Sequence, residues 1–151
     1  MSKGSRANTR GSRLEVTVES LLDEEYQKVT GQHFFALRGL EQPIFARQCQ
    51  IGADIYGKNR RVDFILFHPV KWSECLVLQC KWQASSGSVE EKYPFEVLSI
   101  GECGFPSIFV LDGGGYSNGA EAWLKKQAGN SNLVSVMNMG EITRYSSDGG
   151  L

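Results

Sequence analysis

The chain of 151 residues has no apolar run near the ~20 residues that cross a bilayer, so a membrane-spanning helix is not expected. A basic start, Met1-Ser2-Lys3-Gly4-Ser5-Arg6, is not followed by an apolar segment, which argues against a secretory signal. An intracellular, cytoplasmic location is the default expectation. Histidine is scarce, with only His33 and His68, and the four cysteines (Cys49, Cys75, Cys80 and Cys103) show no CxxC spacing. Zinc ligation and a disulfide framework are therefore not expected. The glycines of Asp112-Gly113-Gly114-Gly115 lack the following lysine of a phosphate-cradling loop. Charge of one sign is missing too: the net is −1, unlike that of a globally basic nucleic-acid binder.

What remains is ordinary for a globular chain, with 41% hydrophobic and 22% charged residues. The length fits one core. Basic residues are nevertheless clustered. Lys3, Arg6, Arg10 and Arg13 precede any acid, and Lys58, Arg60 and Arg61 form a second knot before Asp63. Such clusters can meet phosphate backbones even at a neutral total, or they can simply be solvated. Residues 1–11 read as a flexible basic arm and 12–151 as a single domain.

Ser12 with Glu15 resembles a capping box, and Leu14, Val18, Leu21 and Leu22 make a helical stripe, predicting a helix over 13–28 ended by Gly31. Phe34–Leu37 reads as a strand or helix-end packing segment. Strands are expected at 43–51, 61–68 and 75–82, the last two joined as an antiparallel hairpin. A helix over 89–102, weakened by Pro94, leads to a strand at 107–111. A helix at 120–128, a strand at 133–137, a helical turn at 139–145 and a frayed tail at 146–151 complete the order. This is an α/β (α+β) arrangement, a mixed central sheet flanked by helices.

The richest stretch is Arg61-Val62-Asp63-Phe64-Ile65-Leu66-Phe67 followed by Leu76-Val77-Leu78-Gln79-Cys80-Lys81-Trp82. Alternation places Asp63 with Ile65 and Phe67, and Gln79 and Lys81 with Val77. An acid, an amide and an amine on an apolar face need partners. A divalent metal held by Asp63, Gln79 and the Cys80 carbonyl is one such partner, with Lys81 beside it to hold or deprotonate water. Glu15, at the margin of the helical stripe, is the fourth candidate, and Glu19, one turn on, is its competitor. The plain alternatives are a capping Glu15 and a snorkelling Lys81. Gln83 either positions water or ends a strand. Arg60 and Arg61 either clamp phosphate or lie at a solvated hairpin entrance. Trp72, Trp82 and Trp123 read as packing residues.

Val62-Asp63 and Gln79-Cys80-Lys81 together resemble the PD-(D/E)XK nuclease superfamily in its Gln-x-Lys variant. Gly11-Ser12-Arg13-Leu14-Glu15 is similar to the opening of Holliday-junction resolvases. The resemblance covers roughly residues 10–137. It implies a restriction-endonuclease-like α-β-β-β-α-β core and a Mg²⁺-dependent DNA endonuclease, with Mn²⁺ able to substitute. Catalytic positions would be Glu15, Asp63, Gln79 and Lys81, and metal positions Asp63, Gln79, Cys80 and Glu15. Arg10, Arg13, Lys58, Arg60, Arg61 and Gln83 would meet double-stranded DNA, and a homodimer or homotetramer would cut both strands. Homing or restriction-type nuclease, junction resolvase and a non-catalytic DNA-binding module remain open.

Overall fold

A computed structural model describes residues 3–151, with side chains for residues 13–87 and 89–151. Helix α1 (Lys3–Asp23) buries Leu14, Val18 and Leu22 of the predicted stripe and leaves Leu21 half-buried at its edge. It begins well before the predicted start, so Ser12 lies inside a helix and is not its cap. Once the apolar stripe is docked, helix propagates backward through residues such as Arg6 and Ala7 at little cost. It also stops earlier than predicted, at Asp23 rather than 28, because Tyr26 turns into the core and Gln27–Lys28 becomes a short strand, β1.

Six strands form one sheet in the order β1-β2-β3-β4-β5-β6. Strands β2 (Ile44–Ala53), β3 (Asn59–His68) and β4 (Trp72–Trp82) make an antiparallel meander, while β1 adds parallel to β2. Strands β5 (Ser107–Asp112) and β6 (Leu133–Met137) continue parallel to β4. The mixed sheet matches the expectation. Phe34–Leu37 is helix α2, with Phe34 buried under the sheet. The segment containing Pro94 is divided: Ser88–Lys92 is a 3₁₀ turn and α3 spans Tyr93–Cys103. Pro94 falls in the first turn of α3, where its missing N–H leaves no bond unmade. Helix α4 is Asn118–Gln127 and α5 is Met139–Ser147.

The sheet separates two apolar layers. On one face Leu14, Val18 and Leu22 of α1 and Ile142 of α5 pack on Phe64, Leu66, Leu76, Leu78 and Cys80. On the other, Phe34 packs with Ile65 and Val77, and Tyr93, Val97 and Leu124 pack with Phe109 and Leu111. The tail is not frayed. Trp72 Nε1 donates to the Gly150 carbonyl at 2.8 Å, Lys71 Nζ donates to the Leu151 oxygen at 2.8 Å, and Leu151 is buried. Trp72 and Trp82 pack against the core as expected, whereas Trp123 is exposed, because α4 turns only Leu124 inward.

Candidate active site

The site forms where two strands part. The β3–β4 ladder runs from His68↔Trp72 to Phe64↔Leu78 and is not continued at Asp63. Into that gap Asp63 places its carboxylate, accepting the Cys80 backbone N–H at 2.8 Å. A residue's N–H and C=O point to the same side of its strand, so the Cys80 carbonyl looks into the gap as well. Gln79 Oε1 accepts the Asp63 N–H at a long 3.4 Å. Gln48, on β2, donates from Nε2 to Asp63 Oδ1 at 3.3 Å.

Strict alternation fails here. Ile65 and Phe67 share an apolar cluster with Val62, not with the face that an unbroken period of two would give. The same slip occurs on β2 between Ala46 and Cys49, where Gln48 adopts a left-handed backbone with φ 50°. That conformation is unfavourable for a residue bearing a Cβ, by about 1–2 kcal/mol. The slip turns Asp63 off the apolar face and into the seam between strands, which corrects the expectation that it shares a face with Ile65 and Phe67.

Glu15 reaches the seam from α1. Burial, and then the nearby Asp63 carboxylate, raise its pKa above the ordinary value, and Arg47 only partly offsets this. Arg47 donates to Glu15 at 2.7 Å and to Glu19 at 2.9 Å, while its guanidinium lies 5.3 Å from the Phe64 ring centre. Glu19 also pairs with Lys28 at 2.6 Å. Burial pushes Glu19 up, but these cations outweigh it and leave its pKa lowered. Of the two acids, Glu15 is the one beside Asp63.

Gln79 and Lys81 belong to the face that carries α3, as their alternation with Val77 predicts. Gln79 lines a 180 Å³ hollow with Arg60, Arg61, Glu96 and Ser99. Lys81 Nζ lies 3.5 Å from Glu96, whose other oxygen is 3.7 Å from Arg60. Asp63 therefore stands between an acid of α1 and an amide of β4 that faces the α3 layer. The sheet does not seal these groups from one another, because it is open at this point.

The chain belongs to the PD-(D/E)XK nuclease superfamily. A family model described as a PD-(D/E)XK nuclease superfamily domain matches residues 6–149. No curated protein and no solved structure matches the chain. The superfamily's order of one helix, three strands, a helix and a strand corresponds to α1, β2, β3, β4, α3 and β5. Asp63 lies on the second of these core strands, and Gln79, Cys80 and Lys81 lie on the third.

The donors facing the gap are Asp63 and Glu15 carboxylates, the Gln79 amide oxygen and the Cys80 carbonyl. All are hard oxygens, the set that Mg²⁺ accepts through one or two carboxylates plus waters. No cluster of three or more His, Cys, Asp and Glu suited to a metal occurs among the described residues, so any third protein donor has to be an amide or backbone oxygen. The Cys80 thiol is no candidate. Burial first, and then Asp63 and Glu15, push its pKa well up.

Several expected DNA contacts are placed differently. Gln83 is buried, accepting the Tyr93 hydroxyl at 2.5 Å and donating to the Ser85 carbonyl, so it is a packing residue and does not face water. Arg60 is also buried, held by Glu96, and does not present a surface clamp. Arg13, Lys58 and Arg61 are exposed, and the Arg10 side chain lies outside the described residues. Three neighbours of the site escaped sequence reading: Arg47, Gln48 and Glu96. Arg47 alternates with Phe45 toward the acids of α1, a signal available once β2 is aligned with that helix.

Proposed function

We propose that this chain is a Mg²⁺-dependent endonuclease that hydrolyses phosphodiester bonds of double-stranded DNA. The reading rests chiefly on one arrangement: the Asp63 carboxylate is fixed in a strand gap with Gln79 on one side and Glu15 on the other. Two crowded carboxylates with adjacent carbonyl oxygens form a place that favours a divalent cation. When bound, Mg²⁺ (or Mn²⁺) would supply charge stabilisation and acidify a water.

The residues divide the remaining work. Asp63 is held in one orientation by the Cys80 N–H, so its free lone pairs are presented without rotamer search. Gln79 offers a neutral oxygen where a carboxylate would add charge, which leaves affinity for the cation modest. Glu15, beside Asp63, would hold the cation or a water bound to it. Lys81 brings a positive charge to the developing phosphorane. Exposed Arg13, Lys58 and Arg61 can meet the DNA backbone. Cutting both strands calls for two sites, so a homodimer or homotetramer fits the activity. A homing or restriction-type enzyme is the favoured subclass, with junction resolution next to it.

Two observations favour a second reading, a DNA-binding module without cleavage. Arg47 already occupies Glu15, and the neutral Gln79 reduces the pull on a metal. Incubating linear, supercoiled and four-way-junction DNA side by side with Mg²⁺ separates the readings. Cleavage that disappears in Lys81→Ala supports the nuclease. Binding with no cleavage of any substrate supports the module.

A further inference from the structure

We infer that Glu96 is a positioning residue that sets where the Lys81 amine lies, and that buried Arg60 in turn fixes Glu96. The inference rests on the nuclease reading of Lys81 given above. Glu96 sits in the first turn of α3, and one of its carboxylate oxygens is 3.5 Å from Lys81 Nζ. The other is 3.7 Å from Arg60 Nη2. Arg60 is only 7% exposed, and Nη2 makes no hydrogen bond to any described residue. Its other polar neighbour is the Cys103 sulfur, at 4.0 Å from Nη1. Glu96 is thus the one anion within ion-pair distance of that guanidinium among the described residues. Moving it away would strand a buried charge, which is strongly unfavourable.

This asymmetry gives the arrangement its direction. Arg60 has no freedom to follow Glu96 into solvent, whereas Lys81 has a flexible stem and is 30% exposed at its side chain. The carboxylate therefore stays with Arg60, and the lysine is the mobile partner. An amine on four methylenes samples many positions, and holding it near the seam by one fixed anion removes most of them. Misplacement of a reacting group by about 1 Å can lower a rate roughly 100-fold. Arg60, Gln79, Glu96 and Ser99 border one hollow beside this pair, so the carboxylate is not packed in on every side.

The test uses the full chain and single-turnover cleavage of supercoiled plasmid with Mg²⁺. Wild type is compared with Glu96→Gln, Glu96→Asp and Lys81→Ala, alongside DNA affinity in EDTA, Mn²⁺ affinity by calorimetry, and melting. Glu96→Gln is expected to lower the cleavage rate constant roughly 10- to 100-fold, with both affinities unchanged. Glu96→Asp keeps the charge that Arg60 needs and should fall between the two. If Glu96→Gln fails to fold, Glu96→Asp carries the test, and a wild-type rate in that variant overturns the inference. A wild-type rate in folded Glu96→Gln, with Lys81→Ala inactive, overturns it while leaving the nuclease reading intact. Loss of Mn²⁺ binding in Glu96→Gln overturns it as well, by making Glu96 a ligand. A fully active Lys81→Ala removes both the inference and its foundation.

Discussion

Replacing Asp63 by asparagine and by alanine separates its structural from its chemical role. Asparagine keeps an oxygen for the Cys80 N–H, now in a neutral bond, which is weaker by about 1 kcal/mol than the charge-assisted one. It also removes a negative charge beside Glu15. Two charges about 4 Å apart at an effective dielectric of 20 repel by roughly 4 kcal/mol. Arg47, at 2.7 Å from Glu15, offsets part of this, leaving a gain of the same order as the lost hydrogen-bond strength. The two effects nearly balance, so Asp63→Asn should melt within about 2–4 °C of wild type. Alanine leaves the Cys80 N–H without a partner and should lose about 1–3 kcal/mol. Both variants should lose cleavage and Mn²⁺ binding. The substitution also has a pH signature. A carboxyl whose folded pKa is raised binds more protons folded than unfolded, so its penalty is absent below the ordinary carboxylate range and present above the raised value. Asparagine removes the part of that penalty due to the Asp63 charge, while burial, the larger cause, remains, so its stability relative to wild type should improve modestly from pH 4 to pH 7. Thermal melts in EDTA at both pH values, with calorimetry and plasmid cleavage, check this. Equal destabilisation by asparagine and alanine, a reversed pH trend, or surviving cleavage would refute the reasoning.

Other outcomes follow from the same geometry. Gln79→Glu should tighten Mn²⁺ binding roughly 10-fold by adding a charged oxygen, measured by calorimetry, and should lower the melting temperature of the metal-free protein. Gly115→Ala should destabilise by more than about 2 kcal/mol in urea unfolding, since a Cβ there would stand 2.1 Å from the Ser85 nitrogen and 2.2 Å from the Ala84 carbonyl carbon. Trp72→Phe should lose about 1 kcal/mol in the same assay through its bond to Gly150.

The strands 61–68 and 75–82 can be read from sequence because short runs rich in Val, Ile, Leu and Phe, bounded by turn residues, are too brief for a buried helix. The hairpin then follows from the short link between them. The placement of Asp63 in the seam is another matter. It depends on a left-handed Gln48 that no composition rule marks, since glycine is the usual sign of such a backbone. Arg47 and Glu15 are 32 positions apart, and their pairing needs the docking of α1 on β2. Gln83 looks like an exposed strand end until the Gly113–Gly115 loop and Tyr93 close over it. The tail reads as polar and frayed because Ser, Asp and Gly dominate it, yet the buried Leu151 and the bonds from Lys71 and Trp72 anchor it. The early start of α1 is masked by its Ser and Gly content, a weak propensity that packing further along overrides.

The parting of β3 and β4 gives this molecule an aperture through its own central sheet. Groups mounted on opposite helical layers communicate through that opening, so its width governs how far apart their charges stand. Leu78 and Phe64, the last paired residues, frame it. Changes in the bulk of either would act as a shim, altering the spacing of Glu15, Asp63 and Gln79 without replacing any of them.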